Sequence, residues 1–343
     1  IDYIAINRYS GLSIDEHYKS LLDIERLVEN NNGKLYITGH HQAHAANAFY
    51  SSDFSEAVII TIDGGGIDQK DGGFSKKEEI DQETNSSIKS ALTIWYGKDN
   101  KIHPIKFIPA TICNPGWYWF QVTQGIFDLG TWEDPRGDQA GSVMGMSALG
   151  KPNKFLKNFN NFINLKGEKN ATFFPKDGLK LKEEVNKSEQ NGFDIAASLQ
   201  KATEEYLLSI ITPYLNKYST KNVCLSGGVS LNCVFTGKLF DYFPGINIFC
   251  DPIPYDAGLS LGASRYLYHH VLDHPRIYNN PRNRTPYLGK KYGLNEIQKQ
   301  LGVVKDKINY KSVKDEEVID LMINEFNVIS LYGGASESGR RAL

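Results

Sequence analysis

An unbroken run of aliphatic and β-branched residues limits the fold of this chain more than any other feature. Residues 57–62 read Ala-Val-Ile-Ile-Thr-Ile, without alternation of polar and apolar positions. A half-exposed strand would alternate, so this run predicts a strand that is buried on both faces of a mainly parallel sheet. Helices cover both faces of such sheets. The chain is therefore expected to be an α/β protein.

Glycine-rich segments follow two of the predicted strands. Asp63 and the glycines at 64–66 come directly after the first, and Gly227-Gly228 follow a short strand that begins at Asn222. Glycine adopts positive φ readily and lets backbone N–H groups approach an anion closely. Ser230 is expected to cap the helix after the second turn, whose N-terminus favours phosphate. One such turn is often only a turn, but two of them predict a nucleotide held between two lobes.

Three of the eight histidines lie within five residues of one another. If residues 40–50 form a helix, His40 and His44 share one face and their imidazoles can converge on one metal ion. Asp63 would add a carboxylate from the end of a neighbouring strand. Two neutral imidazoles and a carboxylate suit zinc or ferrous iron and leave coordination positions open. The alternative is a surface or core pair without a metal, because helices also produce this spacing by chance.

A third segment combines a rigid loop with a carboxylate. Residues 251–255 read Asp-Pro-Ile-Pro-Tyr, and the two prolines exclude a helix there. Asp256 then opens a helix that is rich in small residues, which would let it pack closely on a neighbour or a ligand. We interpret Asp256 either as a helix cap or as a further metal ligand.

Taken in order along the chain, these segments resemble the bacterial O-carbamoyltransferases of the nodulation and antibiotic-tailoring type. The main domain of that family is similar to the universal tRNA threonylcarbamoyl-transfer ATPase of the actin and sugar-kinase superfamily. Residues 142–150 also resemble a helix of the family, and residues 334–343 resemble its GRSESGPRALG signature. In that signature Arg340 stands where proline is usual, while Glu337 and Arg341 stay in register.

The resemblance implies a particular domain organisation. Residues 1–280 would form a two-lobed α/β domain of the actin and sugar-kinase type, and residues 285–343 would begin a YrdC-like domain. The Asn-, Pro- and Arg-rich stretch at 279–283 is interpreted as the linker between them. By the same resemblance the chain is expected to be an internal piece of a longer protein, without the family's N-terminal strand and with a truncated second domain.

The resemblance also implies a reaction, ATP-dependent O-carbamoyl transfer. The second domain would join carbamoyl phosphate and ATP into carbamoyladenylate with loss of pyrophosphate. The main domain would then move the carbamoyl group to a hydroxyl of a small molecule or sugar and release AMP. The acceptor itself is not predicted by any pattern in the sequence.

The residues implied for this chemistry fall into three groups. The metal ligands are His40, His44, Asp63 and Asp256, with Fe²⁺ favoured over Zn²⁺ and Mg²⁺ as a further cation. The residues that hold ATP or AMP are Gly64, Gly65, Gly66, Gly227, Gly228, Val229, Asn232 and Arg341. His41 is the candidate catalytic residue, as a base or to orient the acceptor, with a packing role as the alternative.

Other classes of protein stay open. A sugar kinase or actin-like ATPase would share the glycine turns, although it has no use for the histidine pair. A tRNA threonylcarbamoyl transferase would lack the Ser-Glu-Ser-Gly-Arg-Arg-Ala-Leu segment that begins at Ser336. A non-catalytic nucleotide-binding scaffold is the remaining alternative.

Composition limits the partners. With 38 basic and 40 acidic residues the net charge is −2, so no global field attracts nucleic acid or an anionic membrane. No apolar stretch reaches the ~18 residues that would span a bilayer. The four cysteines form no CxxC pair, and we interpret them as reduced core thiols of a cytoplasmic protein. A homodimer is left open.

Local patterns predict the remaining elements. These are a helix over 14–30, a strand over 35–37, a mobile loop over 69–90, a hairpin formed by 91–96 and 102–108, a helix from 117 toward 129, a long helix over 193–218, a helix over 316–326 and a strand over 328–332. The aromatic residues at 117–120 are expected in the core. Glu204 and Glu205 are expected on a solvated helix face.

Overall fold

The computed structural model describes residues 2–7, 23–24, 26–28, 30–69, 73–74, 87–110, 114–130, 139–159, 177–281, 285–325, 328–330 and 333–338. The chain divides into two compact units, residues 1–284 and 285–343. Its helices and strands are, in order, β1 (Tyr3–Asn7), β2 (Lys34–Thr38), α1 (His40–Ser51), β3 (Glu56–Gln69), β4 (Gly73–Phe74), β5 (Ser87–Lys98), β6 (Lys101–Pro109), α2 (Pro115–Gly125), α3 (Ala140–Met146), α4 (Gly178–Lys187), α5 (Glu189–Lys217), β7 (Asn222–Ser226), α6 (Cys233–Tyr242), β8 (Asn247–Cys250), α7 (Leu259–Arg265), α8 (Leu294–Val303) and α9 (Asp315–Ile323). Within the described ranges, no helix has both the length and the apolar character needed to cross a membrane.

The larger unit is built on a five-stranded mixed sheet with the order β6-β5-β3-β7-β8. β3, β7 and β8 run parallel to one another, and β5 and β6 extend the sheet by antiparallel pairing. A smaller sheet has the order β1-β2-β4. The predicted α/β class is thereby confirmed, but the predicted mainly parallel sheet is wrong, because two of the four strand pairings of the larger sheet are antiparallel. The two-lobed actin-like arrangement and the YrdC-like character of the second unit stay predictions.

β3 is buried on both faces, as its sequence predicts. Ile60 and Ile62 belong to one apolar core together with Leu199 of α5. Ile59 belongs to a second core together with Phe49 of α1. Because successive side chains of a strand point to opposite faces, α1 and α5 lie on opposite sides of the sheet. This arrangement holds α1, which carries the three clustered histidines, directly against β3.

Several of the smaller predicted elements are confirmed. The predicted strand at 35–37 lies within β2, the predicted hairpin is formed by β5 and β6, and the long helix is α5. Of the aromatic residues at 117–120, those at 118–120 are buried as predicted, whereas Trp117 is only half-buried. Of the first predicted helix, residues 23–24, 26–28 and 30 are helical, and residues 14–22 lie outside the described residues.

The predicted glycine turn after Ile62 is wrong. β3 continues through Asp63 and the three glycines to Gln69, paired antiparallel with β5, and a β-bulge lies between Ile62 and Gly66. Residues 63–65 have no partner in the register with β5, and pairing resumes at Gly66, so the glycines form a bulge within the strand instead of ending it. The predicted loop at 69–90 is also partly wrong, because residues 73–74 and 87–90 are in strands.

The predicted solvated face at Glu204 is wrong as well. Glu204 is buried, and its carboxylate accepts hydrogen bonds from Lys238 Nζ at 2.8 Å and from Gln200 Nε2 at 2.9 Å. Its neighbour Glu205 is exposed, as predicted. Lys238 comes from α6, so a partner distant in sequence compensates the burial of this carboxylate.

The smaller unit contains α8 and α9, and neither helix has a buried residue. An isolated β-bridge joins Lys291 and Ala335. α9 confirms most of the helix predicted over 316–326. The predicted strand at 328–332 is not formed at 328–330, and residues 331–332 lie outside the described part of the chain.

Candidate metal centre

The helix α1 brings His40 and His44 together. The two residues are one helical turn apart, and their ring centroids are 4.8 Å apart. Every residue of α1 is buried, so the imidazoles are presented from a helix without a solvated face. The predicted helical spacing is confirmed in this respect, and both Nε2 atoms point to the same carboxylates.

Asp63 occupies the β-bulge of β3. Its Oδ2 lies 2.9 Å from His44 Nε2 and 3.4 Å from His40 Nε2. Its Oδ1 accepts a hydrogen bond from the Gly64 N–H at 2.6 Å. A bulge changes the direction in which a strand side chain points. Here it brings one carboxylate oxygen to both imidazoles and occupies the other with the backbone.

Asp256 adds a second carboxylate near both imidazoles. Its Oδ1 lies 3.6 Å from His44 Nε2 and 3.7 Å from His40 Nε2. Its side chain is 46% exposed, whereas the His44 side chain is fully buried. The cluster therefore has a buried histidine side and a carboxylate side that solvent or a substrate can reach.

The loop that precedes Asp256 is tied to α1. Asn47 of α1 donates to the buried carboxylate of Asp251. The small residues after Asp256 have the predicted packing role, since a Cβ at Gly262 would lie 2.6 Å from the backbone carbon of Ala43. α7 can therefore lie directly on α1, which holds both ends of the cluster in one packed unit.

The four side chains form one potential ligand set. One ligand atom from each of His40, His44, Asp63 and Asp256 lies within 4.8 Å of all the others. Burial lowers the pKa of His44, but the facing carboxylates of Asp256 and Asp63 outweigh burial and raise it to about 9. Burial raises the pKa of Asp63, but hydrogen bonds from the two histidines outweigh it and hold the pKa well below its usual range. The cluster thus favours positive charge between its carboxylates, and its donor set fits a divalent transition metal.

The glycines of β3 make room for this cluster. A Cβ at Gly66 would lie 2.5 Å from His40 Cβ and closer still to the imidazole ring. The Gly64 carbonyl accepts from Asn114 Nδ2 at 2.6 Å, and Asn114 Oδ1 caps α2 by accepting from the Trp117 N–H. The backbone around Asp63 is therefore enclosed by the first turn of α2, and Gly66 leaves space for a ligand histidine.

The second glycine segment lies beside the same carboxylate. Gly227 has φ +90° and passes closely over the backbone of Ile62, and a Cβ at Gly228 would lie 3.2 Å from Asp63 Oδ1. The predicted cap at Ser230 is wrong, because its hydroxyl donates to Ser226 O and Asn232 instead caps α6 by accepting from the Phe235 N–H. The two predicted glycine segments thus meet at Asp63.

The remaining predicted nucleotide-binding residues are placed differently. Asn232 is buried, and its Nδ2 donates to Gln200 Oε1 at 2.8 Å. Val229 follows Gly228 in a short 3₁₀ helix and packs against the larger apolar core. Arg341 lies outside the described residues. Nucleotide binding by any of these residues stays a prediction.

His41, the candidate catalytic residue, is completely buried. Its Nδ1 lies 2.9 Å from Thr61 Oγ1 and its Nε2 lies 3.0 Å from the Ser90 carbonyl oxygen. Burial, together with the nearby His40 and His44, lowers its pKa to about 3. With both ring nitrogens engaged inside the protein, His41 matches the packing alternative better than a base that contacts an acceptor.

Sequence reasoning missed Asp68, which is buried beneath the first turn of α1. The available signal was Gly39, the residue before that helix. It has no side chain to cap the N–H groups of the first turn, which have no partner within the helix. A buried helix that begins on glycine requires an acceptor from elsewhere. Asp68 Oδ1 provides it, since it accepts from the His41 N–H at 2.8 Å.

The described cysteines are free thiols. Cys224 is buried, Cys250 is half-buried and Cys233 is exposed. Burial raises the pKa of Cys224 and of Cys250 to about 12. The predicted core position thus holds for Cys224, is partial for Cys250 and is wrong for Cys233. Cys113 lies outside the described residues.

Fold and site together define an α/β protein with two histidines and two carboxylates gathered beside a pair of glycine-rich segments. The chain belongs to the carbamoyltransferase family, because residues 14–265 match the domain described as the carbamoyltransferase N-terminus. The match confirms the family predicted from the motifs, which is a family of transferases.

Curated relatives are longer than this chain. The nodulation protein NolO of Bradyrhizobium diazoefficiens is 26% identical over 320 residues, which cover 89% of this chain and 51% of that protein. The nodulation protein NolNO of Sinorhizobium fredii is 25% identical over 257 residues, which cover 72% of this chain and 33% of that protein. An uncharacterised protein of Synechocystis sp. is 27% identical over 338 residues, which cover 90% of this chain and 49% of that protein. The chain thus spans about half the length of these relatives, or less.

Among solved structures, the crystal structure of HypF from T. kodakarensis is similar to this chain with a TM-score of 0.47 and 15% sequence identity. The similarity covers 80% of this chain and 40% of that one.

Proposed function

We propose that this chain carries the acyl-transfer site of an ATP-dependent O-carbamoyltransferase that acts on a hydroxylated small molecule or sugar. The observation that carries the proposal is the convergence of four potential ligand atoms within 4.8 Å, beside Gly228. The chain belongs to the carbamoyltransferase family. Its candidate metal site lies next to the glycine segment that we propose holds the nucleotide.

The proposed reaction has two parts. Carbamoyl phosphate and water give carbamate and inorganic phosphate, and a carbamate oxygen then bonds to the α-phosphorus of ATP, with release of pyrophosphate, to give carbamoyladenylate. The hydroxyl oxygen of the acceptor then bonds to the carbamoyl carbon, the bond from that carbon to the AMP phosphate oxygen breaks, and the hydroxyl proton is released. The products of the second part are the carbamoylated acceptor and AMP, and it is this part that we assign to the present chain.

The residues of the chain have distinct roles in the proposal. His40, His44, Asp63 and Asp256 hold a divalent transition metal, with iron favoured over zinc by resemblance to the family. A bound metal would supply a Lewis acid for the carbonyl or the leaving phosphate. Gly228 brings a backbone segment without a side chain next to Asp63, where we place the phosphate of the nucleotide, and the half-exposed Asp256 faces the side from which the acceptor can enter.

Nucleotide products test the reaction class. Full-length protein incubated with ATP, carbamoyl phosphate and a panel of hydroxylated acceptors should release AMP and pyrophosphate and form a carbamate ester, as followed by chromatography and mass spectrometry. Release of ADP with a phosphorylated acceptor would establish the kinase alternative. Carbamoylation of tRNA alone would establish the tRNA-modifying alternative.

A matched pair of variants links the activity to the cluster. Asp256→Asn should abolish carbamate formation with little loss of stability, because Asp256 is 46% exposed and its role is confined to the cluster. Asp241→Asn changes an exposed carboxylate elsewhere and should leave the activity unchanged. Equal activity of the two variants would contradict a role for the cluster in the transfer.

A further inference from the structure

The helix α1 lacks a capping side chain of its own. The residue before the helix is Gly39. The N–H groups that have no partner within the helix belong to its first turn, which carries His40 and His41. Asp68 Oδ1 accepts from the His41 N–H at 2.8 Å and from the Gln42 N–H at 3.2 Å. A carboxylate at a helix N-terminus satisfies free N–H groups and interacts favourably with the helix dipole. The cap of α1 thus comes from the far end of β3.

Asp68 connects this turn to the sheet. It is completely buried, and its Oδ2 accepts a hydrogen bond from Ser90 Oγ at 2.7 Å. Ser90 lies on β5 and pairs with Gly66, the glycine beside His40. One carboxylate therefore joins the first turn of α1 to the two strands that form the bulge carrying Asp63.

His41 makes a second connection to the same strands. The Ser90 carbonyl oxygen can only accept, so His41 Nε2 carries the hydrogen and donates to it at 3.0 Å. His41 Nδ1 lies 2.9 Å from Thr61 Oγ1, which accepts from Trp95 Nε1 at 3.1 Å and lies 3.2 Å from the Thr93 carbonyl oxygen. The His41 ring is therefore held through both of its nitrogens, by Thr61 of β3 and Ser90 of β5.

The ligand histidines depend on this anchoring. His44 Nδ1 is buried and has no hydrogen-bond partner among the described residues, so no polar contact at that atom orients the ring. The position of its Nε2 then follows from the position of α1 itself. An unanchored first turn would leave both imidazoles free to move relative to Asp63.

We propose that Asp68 and His41 are positioning residues of the metal centre, which fix the first turn of α1 on the sheet and so hold His40 and His44 at the geometry a metal requires. This inference rests on the proposed metal site. A positioning residue and a purely structural cap differ in their effect on metal binding. A structural cap would affect stability alone, whereas a positioning residue also sets metal affinity and ligand geometry.

Cobalt(II) binding to the full-length protein tests the inference, with affinity measured against a competing chelator and ligand geometry read from the visible absorption spectrum. Asp68→Ala should bind Co²⁺ about 10- to 100-fold more weakly than the parent, with an altered spectrum, as is usual when a residue that orients metal ligands is lost. Asp68→Asn keeps an acceptor oxygen for the two N–H groups and should restore most of the affinity and the parent spectrum.

Thr203→Val is the matched control for stability. It removes a buried acceptor, the partner of Trp119 Nε1 at 2.8 Å, on α5, which covers the other face of the sheet. It should lower the unfolding temperature and leave Co²⁺ affinity and spectrum unchanged. If Asp68→Ala does not fold, Ser90→Ala removes only one of the three hydrogen bonds to Asp68 and should shift affinity and spectrum in the same direction by less.

The outcomes separate the inference from the proposed function. A parent protein that binds no Co²⁺ would overturn the metal site and the positioning role together. A parent that binds Co²⁺, with a folded Asp68→Ala or Ser90→Ala variant that has the same affinity and spectrum, would overturn the positioning role alone.

Discussion

Gly66 is the position at which a single methyl group should disturb the metal centre most directly. An added Cβ would lie 2.5 Å from His40 Cβ and closer still to Cγ and Cδ2 of the ring. Carbon atoms in favourable contact are about 3.5–4.0 Å apart. The His40 side chain is only 3% exposed, so its ring has no free space into which to turn. In Gly66→Ala, either the imidazole leaves the cluster or α1 separates from β3.

The size of the effect follows from this crowding. Inserting a methyl group into a packed site typically costs about 1–3 kcal/mol. If the imidazole moves, this strain is relieved when no metal is bound and must be overcome when His40 ligates the metal. Since about 1.4 kcal/mol corresponds to a tenfold change in affinity, metal binding should weaken roughly 5- to 150-fold. Because the strain is relieved in the metal-free protein, the unfolding temperature should fall by less than a loss of about 1–3 kcal/mol in the free energy of unfolding would produce.

The assay is competition between the protein and a coloured chelator for Co²⁺, with circular dichroism and thermal unfolding recorded on the same samples. Gly145→Ala is the matched control, because a Cβ at Gly145 would meet nothing within 4 Å. That variant should bind Co²⁺ as the parent does. A folded Gly66→Ala protein with parental affinity would refute the reasoning, since it would mean that His40 is not required as a ligand or that the site adapts without strain.

Three further predictions concern other parts of the molecule. Burial raises the pKa of Asp68 from 3.8 in the unfolded chain to about 6. The stability of the parent relative to Asp68→Asn should therefore be greatest below about pH 4 and fall by about 2 kcal/mol as the pH rises from 4 to 6, as measured by urea unfolding of both proteins at each pH. Arg276 Nη2 donates hydrogen bonds to the carbonyl oxygens of Phe49 and Ser52, at the end of α1. Arg276→Lys should therefore cost about 2–3 kcal/mol in denaturant unfolding, while the exposed Arg26→Lys costs almost nothing. Gly228→Ala should crowd Asp63 and weaken AMP binding in calorimetry by about 1 kcal/mol, or roughly fivefold, and parental AMP affinity would leave this segment without a nucleotide role.

The features that local patterns predict well are those that depend on one element. The run at 57–62 correctly predicts a strand buried on both faces, because every position except Thr61 contributes to one of the two apolar cores. The spacing of His40 and His44 correctly predicts a shared helix face, because helical periodicity is local. Asp63 is expected beside that face because it ends the neighbouring strand, and only the resemblance to a family favours Asp256 as a ligand over a helix cap, since no local rule relates residues so far apart.

The errors arise where distant partners decide the structure. The glycines after Ile62 suggest a turn, yet pairing with β5 continues the strand and turns the glycines into a bulge. Glu204 has the pattern of a solvated residue, yet Lys238 and Gln200 compensate its burial. Gly39 indicates that α1 needs an acceptor from elsewhere but not that Asp68 provides it, because the helix begins 28 residues before Asp68, at His40.

Metal content is the most direct measurement of the site on which the account depends. Elemental analysis of full-length protein should find one transition-metal ion per chain, iron rather than zinc, in the parent. It should find the same in His103→Ala/His274→Ala, which removes two exposed histidines outside the cluster. His40→Ala/His44→Ala should contain almost none, because the two remaining carboxylates suit Mg²⁺ better than iron or zinc. Unchanged iron or zinc in that double variant would contradict the assignment of the metal centre.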